Sequence, residues 1–187
     1  MSERSYSEAC VHGRFQPPHR EHLEYIEEAL KRSDHVIVGI TQPNSAVLDE
    51  CEVDPHRALP SENPLTYEER CRCIKAMLLE REYDSSRFSF TPFPIDRPQE
   101  LKEYVRIETP CLTTIRTTWN IEKIERLRAL GYEVQVLWDR REIPGIEGQA
   151  IRKMIRDQDP RWTDLVAPAV ARLMIDEGLT TRIAAGK

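Results

Sequence analysis

Two histidines three residues apart, His19 and His22, follow an arginine, Arg14, where an apolar run gives way to a helical pattern. Imidazole N–H and guanidinium groups donate hydrogen bonds to anionic oxygens. The first backbone N–H groups of a helix are unpaired and carry partial positive charge, so they attract phosphate as well. At i and i+3 the two imidazoles share one helix face, with Cβ atoms about 5–6 Å apart. Together these groups predict a site for a nucleoside triphosphate. Two other readings stand beside it. Histidines at a helix start are often plain surface side chains. Zinc would accept both rings, but this spacing supplies two ligands and no third stands nearby.

Triphosphate bound this way suits in-line attack on the α-phosphate with pyrophosphate leaving. Charge then builds on the equatorial and leaving oxygens, so the protein mainly positions phosphates and supplies donors. No covalent nucleophile is needed. Mg²⁺ is the expected cofactor, bound mainly through substrate phosphates, because it keeps several waters and needs few protein ligands. No protein metal site is expected.

The elements that must position these residues can be read along the chain. Residues 7–12 form a first strand, ended by Gly13, and Pro17-Pro18 stiffens the loop that follows. From His19 the apolar residues Leu23, Ile26, Ala29 and Leu30 recur at helical spacing. His35–Thr41 is β-branched, as in a strand buried on both faces of a parallel sheet. Residues 42–64 carry four prolines and little periodicity, which predicts either a functional loop or a surface insertion. Arg57 within it is placed to close onto phosphate. Thr66 and Glu69 have the form of a capping box opening a helix to about Arg81. Further strands are expected at 87–93, 110–115 and 132–138, with a short helix at 98–106 and a longer one at 119–130 facing inward through Ile121, Ile124 and Leu127. Residues 149–156 read as a short helix, and 162–178 as a closing helix stopped by Gly178.

The alternation predicts an α/β fold: a Rossmann-like, five-stranded parallel sheet with helices on both faces and a short C-terminal helical part at 149–178. The 187 residues suffice for one domain, and no linker or repeat divides them. Net charge is −5, which argues against nucleic-acid binding but not against a small anion. No apolar run approaches the roughly 20 residues of a membrane helix, and residues 1–5 lack a signal-like pattern, so a cytoplasmic protein is expected. Five cysteines and no signal argue against disulfides, and Cys71-Arg72-Cys73 has no second pair at zinc spacing.

Gly13-Arg14-Phe15-Gln16-Pro17-Pro18-His19-x-x-His22 resembles the G-R-F-Q-P-x-H-x-G-H signature of archaeal-type nicotinamide-nucleotide adenylyltransferases, within the wider cytidylyltransferase-like group. Asn63-Pro64-Leu65-Thr66 through Glu69-Arg70 resembles that family's N/D-P-F-T-x-x-E-R segment. Gly131-Tyr132-Glu133-Val134 resembles its G-Y-E-V strand, and Trp162 through Pro168 its W-x-x-L-V-P ending. The resemblance implies a nucleotidyltransferase acting on an NTP and a phosphorylated small molecule. Adenylyl transfer to nicotinamide or nicotinate mononucleotide is the family default. Cytidylyl transfer to another phosphate or phosphonate metabolite, and a binding protein that has lost catalysis, are the alternatives. A homo-oligomer is possible within the family. The resemblance further implies that Arg14, His19 and His22 are catalytic. Gly13, Phe15, Gly148 and Arg152 would join them in holding the nucleotide, with Arg152 on the β- and γ-phosphates. Asp96, Arg57 and Trp119 would serve the acceptor. The chain departs from the pattern at Glu21, where the motif has glycine, at Glu62, where it has a basic residue, and at Glu147-Gly148-Gln149, where it has S-G-T.

Overall fold

The structure is a computed structural model that describes residues 5–44, 47–50 and 55–186, with backbone only at 56 and 57. Its core is a five-stranded parallel sheet. The strands are β1 (Tyr6–Gly13), β2 (Ser33–Ile40), β3 (Phe88–Pro92), β4 (Cys111–Ile115) and β5 (Val134–Asp139), in the spatial order β3-β2-β1-β4-β5. The helices are α1 (Arg20–Arg32), α2 (Tyr67–Glu80), α3 (Thr118–Ala129), α4 (Gly148–Arg156), α5 (Pro168–Asp176) and α6 (Leu179–Ala184). The expected α/β architecture is therefore present. Strand order reverses between β1 and β4, and a crevice opens at such a switch point beyond the carboxyl ends of the strands.

Alternation along the strands builds two apolar layers. Ala9, Val11, Val36 and Val38 face α1 and α2, where Ile26, Leu30, Ile74 and Met77 complete one core. Cys10 and Cys111 face the other side, packed with Phe93, Leu101, Trp119 and Leu127. Among the described residues Cys10, Cys71, Cys73 and Cys111 are free thiols, and Cys51 lies outside them. No described helix is long and apolar enough to cross a membrane.

Several boundaries differ from the sequence expectation for local physical reasons. Residue 132 does not open β5. Gly131 takes a left-handed φ of 95°, and the N–H groups of Gly131 and Tyr132 close the end of α3 on Arg128 O (2.9 Å) and Leu127 O (3.1 Å). The expected helix at 98–106 is a 3-10 turn at Pro98–Glu103. The segment 162–178 is not one helix: a 3-10 turn at Pro160–Leu165 precedes α5. Gly178 (φ 68°) redirects the chain rather than stopping it, and α6 follows with Leu179 and Ile183 buried. The C-terminal helical part thus runs to Ala184, not 178. Arg182 on α6 then binds Glu69 Oε1 (2.9 Å) and Pro64 O (3.0 Å), so this helix ties down the entrance to α2. Within 42–64 the described backbone includes 3-10 turns at Pro55–Ala58 and Pro60–Glu62.

Candidate active site

The first loop is shaped by close packing. A Cβ on Gly13 would lie 3.0 Å from the Phe15 ring, and Phe15 itself is buried with φ 55°. The Gln16 amide bonds both ways with the Leu65 backbone, Nε2 to O at 2.8 Å and Oε1 from N–H at 3.0 Å. Beneath the loop lies Arg70. Its guanidinium is buried and donates to Arg14 O (2.9 Å), Thr41 O (2.7 Å), Gln42 O (2.7 Å) and Thr66 O (3.1 Å). Thr66 and Glu69 form the expected capping box that aims it. One side chain therefore binds the first loop to the end of β2 and the start of α2.

His19 caps α1, and His22 is its third residue. The rings stack with centroids 3.6 Å apart, and Phe15 meets His22 edge-on at 4.7 Å. The His19 backbone N–H donates to His22 Nδ1 at 3.3 Å, so a neutral His22 carries its proton on Nε2. Burial drives the His19 pKa down to about 3, with the Arg116 charge adding to it. Burial, then His19 and Arg14, holds His22 well below the usual imidazole range. Both rings are thus neutral donors at neutral pH. Folding excludes the imidazolium, so between pH 3 and the usual histidine value of about 6.5 the unfolded chain binds protons that the folded chain does not. Stability is complete above about pH 6.5 and falls as pH drops below it. A thermal melt series is expected to show Tm falling between pH 6.5 and 5, with a shallower slope in His19→Gln.

On the opposite wall, Gly148 opens α4. A Cβ there would lie 2.5 Å from Gln16 O, so only glycine lets this helix start abut the first loop. Arg152, one turn on, is 0% exposed; it donates to Gln16 O and pairs with Glu62. The acid at the family's basic position thus holds this arginine. Glu21 does not project alone into the site either. Its Oε2 lies 2.6 Å from Arg116 Nη2, and Arg116 Nη1 donates to Ile143 O at 3.1 Å.

These groups bound two chambers that meet at the histidine pair. Arg14, His19, His22, Thr114, Arg116 and Gly148 line both. The outer chamber, about 860 Å³, runs from Glu21 to Trp138 and the 140–149 segment. A register shift between Thr113 and Thr114 re-pairs β4 with β5 so that Thr114 sits opposite Trp138. The inner chamber, about 230 Å³, lies over the ends of β1 and β4 and is lined by His12, Thr113, Trp119 and Lys123. His12 stacks on Phe93 at 4.3 Å, and Gly39 leaves the room Phe93 needs.

The residues expected to hold the nucleotide, Gly13, Arg14, Phe15, His19, His22, Gly148 and Arg152, all converge on the inner chamber. Of the acceptor set, Trp119 lines it. Asp96 lines neither chamber. It faces Arg126 at 3.7 Å, whose guanidinium lies 4.9 Å from the Trp119 ring centre, so it stands one residue behind the wall. The Arg57 side chain lies outside the described residues. Sequence reading named Arg70 only as part of a motif segment, without a role, and gave none to Arg116, His12 or Lys123. For Lys123 a signal existed: it stands four residues from both Trp119 and Leu127, on the buried face of α3. Among the described residues, the cluster with metal-ligand geometry is Cys10, His12 and Cys111, whose ligand atoms lie within 4.8 Å of one another. Burial, with Cys111 alongside, pushes the Cys10 thiol well up, so it stays protonated.

A family model described as cytidylyltransferase-like matches residues 10–159. The chain belongs to the cytidylyltransferase-like family. It is 37% identical over 175 residues to a phosphonoformate cytidylyltransferase of Streptomyces viridochromogenes, covering 94% of each chain. It is 30% identical over 167 residues to a nicotinamide-nucleotide adenylyltransferase of Pyrobaculum arsenaticum, covering 87% of this chain and 84% of that one. Among solved structures, it superposes on a bifunctional NMN adenylyltransferase/ADP ribose pyrophosphatase from Francisella tularensis with a TM-score of 0.62 at 16% identity. That match takes in 96% of this chain and 53% of the larger protein, so the chain spans about half of it and the likeness is one of fold. The protein is a nucleotidyltransferase.

Proposed function

We propose that this nucleotidyltransferase moves a cytidylyl group from CTP to a compact phosphonate or phosphate acceptor, releasing pyrophosphate. The observation that carries it is the inner chamber. It is the inner part of a cavity that continues past the histidine pair, and its own share of the space is about 230 Å³. Its described wall holds Arg14, Arg116, Lys123 and Arg152 and no carboxylate, and the acids that pair with Arg116 and Arg152, Glu21 and Glu62, line the outer chamber instead. Such a wall attracts a small polyanion and opposes the cationic ring of nicotinamide mononucleotide. The 37% identity to a phosphonoformate cytidylyltransferase points the same way.

In this reading the nucleoside occupies the outer chamber and the α-phosphate sits where the chambers meet. An acceptor oxygen in the inner chamber attacks the α-phosphorus. The new P–O bond forms as the bond to the β-phosphate breaks, and pyrophosphate carries off the electron pair. His22 Nε2–H and the Arg14 guanidinium donate to oxygens that gain charge, and Arg152 turns from Glu62 to the leaving phosphates. Mg²⁺ would neutralise part of the pyrophosphate charge through the substrate's own oxygens. That fits a wall whose acids Glu21 and Glu62 are already held by Arg116 and Arg152.

Glu21 and Arg116 narrow the part of the outer chamber where the motif glycine would leave room for a base. Adenylyl transfer to nicotinamide or nicotinate mononucleotide is the second reading, since 860 Å³ also admits adenosine. A pyrophosphate-release panel pairing each NTP with phosphonates and with mononucleotides separates them. Release with CTP and a phosphonate is expected. Release only with ATP and a mononucleotide would overturn the proposal.

A further inference from the structure

Two cysteines and a histidine meet on one face of the sheet, and the transfer step uses none of them. Cys10 on β1 stands directly opposite Cys111 on β4 in the parallel register. His12 is two residues beyond Cys10, and side chains two apart on a strand share a face. The ligand atoms of the three, two Sγ and one imidazole nitrogen, lie within 4.8 Å of one another. All three side chains are buried. The two thiols are free and belong to the apolar layer of Phe93, Leu101 and Trp119, and the His12 ring lies flat against Phe93. Strands fix the backbone of these residues, and the Phe93 stack fixes the plane of the imidazole, so the donors are held in place before any ion arrives. Thiols alone would be ordinary apolar filling. An imidazole among them makes a Cys₂His donor set, which suits Zn²⁺ and not the oxygen-seeking Mg²⁺. At zinc bond lengths and tetrahedral angles, ligand atoms stand about 3.5–3.8 Å apart, so closing on an ion asks for side-chain movements of about 1 Å.

We propose that Cys10, His12 and Cys111 form a zinc site beneath the inner chamber. The ion displaces one proton from each thiol. The electron pairs that held those protons form two Zn–S bonds, and the protons leave to solvent. Neutral His12 supplies a nitrogen lone pair for the third bond. Two thiolates cancel the charge of Zn²⁺, so the buried complex is neutral and escapes the penalty of a bare ion taken from water. Neutrality matters because Lys123 lines the chamber alongside His12, and its charge opposes any net positive charge there. Burial keeps the Cys10 thiol protonated in the metal-free protein, and coordination reverses this, since a metal-bound thiol is deprotonated outright. Of the three ligands His12 alone lines the inner chamber, so the entry path and the fourth coordination position lie on that side. Three protein ligands and one open position is the pattern of zinc sites that take up water or a substrate oxygen. An oxyanion in the chamber completes the tetrahedron. This site is separate from the Mg²⁺ carried by substrate phosphates, and it does not rest on which nucleotide the enzyme transfers.

The test uses the full chain carrying Cys51→Ser, Cys71→Ala and Cys73→Ala, so that Cys10 and Cys111 are its only thiols. Co²⁺ is the probe, because its spectrum reports the ligands where d¹⁰ zinc is silent. With the protein reduced, one equivalent of Co²⁺ is expected to give thiolate-to-cobalt charge transfer in the near ultraviolet and the strong visible bands of a four-coordinate ion. Protons are expected to leave with it, one from each thiol. Zn²⁺ is expected to bleach both sets of bands, and excess Mg²⁺ to leave them. Inorganic phosphate, admitted to the chamber, is expected to shift the visible bands. His12→Phe keeps a ring against Phe93 and is expected to weaken Co²⁺ binding by about 100-fold or more, beyond the 10–100-fold cost of losing a partner that only supports a ligand. Absence of the charge-transfer band would overturn the site. Undiminished affinity in His12→Phe would overturn the histidine as a ligand, and visible bands indifferent to phosphate would overturn the open position. Should the substituted chain fail to fold, wild type carries the same reading: its charge-transfer band is expected to be lost in Cys111→Ala and kept in Cys71→Ala. The reverse result would overturn the assignment.

Discussion

His22→Ala is expected to lower kcat by about 10²–10³-fold, the loss seen when one preorganised donor to a transition-state oxygen is removed. The size follows from geometry. His22 is fixed by the His19 N–H at its Nδ1 and by the rings of His19 and Phe15 at its faces, so its Nε2–H costs nothing to orient. Its depressed pKa makes it a neutral donor, and no proton must be lost to prepare it. Tm is expected to fall at pH 7, because the His19 N–H loses its acceptor and the two ring contacts go, and to fall less at pH 6, where a buried imidazole that resists protonation is no longer a cost. KM for the nucleotide should change much less than kcat. A loss confined to KM would mean that His22 binds the ground state and the transition state alike.

The second large effect is on stability. Arg70→Met keeps the stem of the side chain but strips its donors from four carbonyls, those of Arg14, Thr41, Gln42 and Thr66. Each orphaned buried acceptor costs about 1–3 kcal/mol, less when water can reach it. A total of about 3–5 kcal/mol is expected, near the upper end for a single substitution. For a chain of this size that corresponds to a fall in Tm of roughly 10 °C, readable by calorimetry. Activity should fall further than folding explains, because the same guanidinium sets the loop that carries Arg14. Burial pulls the Arg70 pKa down to about 10, still well above neutrality, so the group stays charged through the working range.

These two residues mark what the chain shows on its face and what it hides. His19 and His22 are legible because strand, glycine, stiff loop and helix follow one another within sixteen residues, and each signal is local. The Thr66–Glu69 capping box is local as well, and the structure has both of its hydrogen bonds. Parallel sheet and helix layers follow from apolar periodicity. Arg70 is not legible in the same way: the motif segment contains it, but nothing local says what it binds. A charged residue in a helical pattern reads as solvated, and only the packing of distant segments buries it. Arg70 gathers carbonyls from positions up to 56 residues away. Glu21 and Glu62 read as intruders in a phosphate site, whereas in three dimensions each meets an arginine. Gly178 carries a stop signal, but the left-handed turn it makes serves equally to start another helix, and the buried Leu179 and Ile183 decide between the two. Asp96 falls at the end of β3 as expected, and its carboxylate lies 3.7 Å from Arg126, whose guanidinium stands over the Trp119 ring.

The account's central claim is that the acceptor is a compact polyanion in the inner chamber and the transferred group is cytidylyl. One competition measures it: CTP, ATP, phosphonoformate and nicotinamide mononucleotide together with the enzyme, with the products read by ³¹P NMR. The account predicts coupled resonances of a mixed cytidylyl–phosphonate anhydride rising in step with pyrophosphate. A dinucleotide pyrophosphate rising instead, with phosphonoformate untouched, would contradict it.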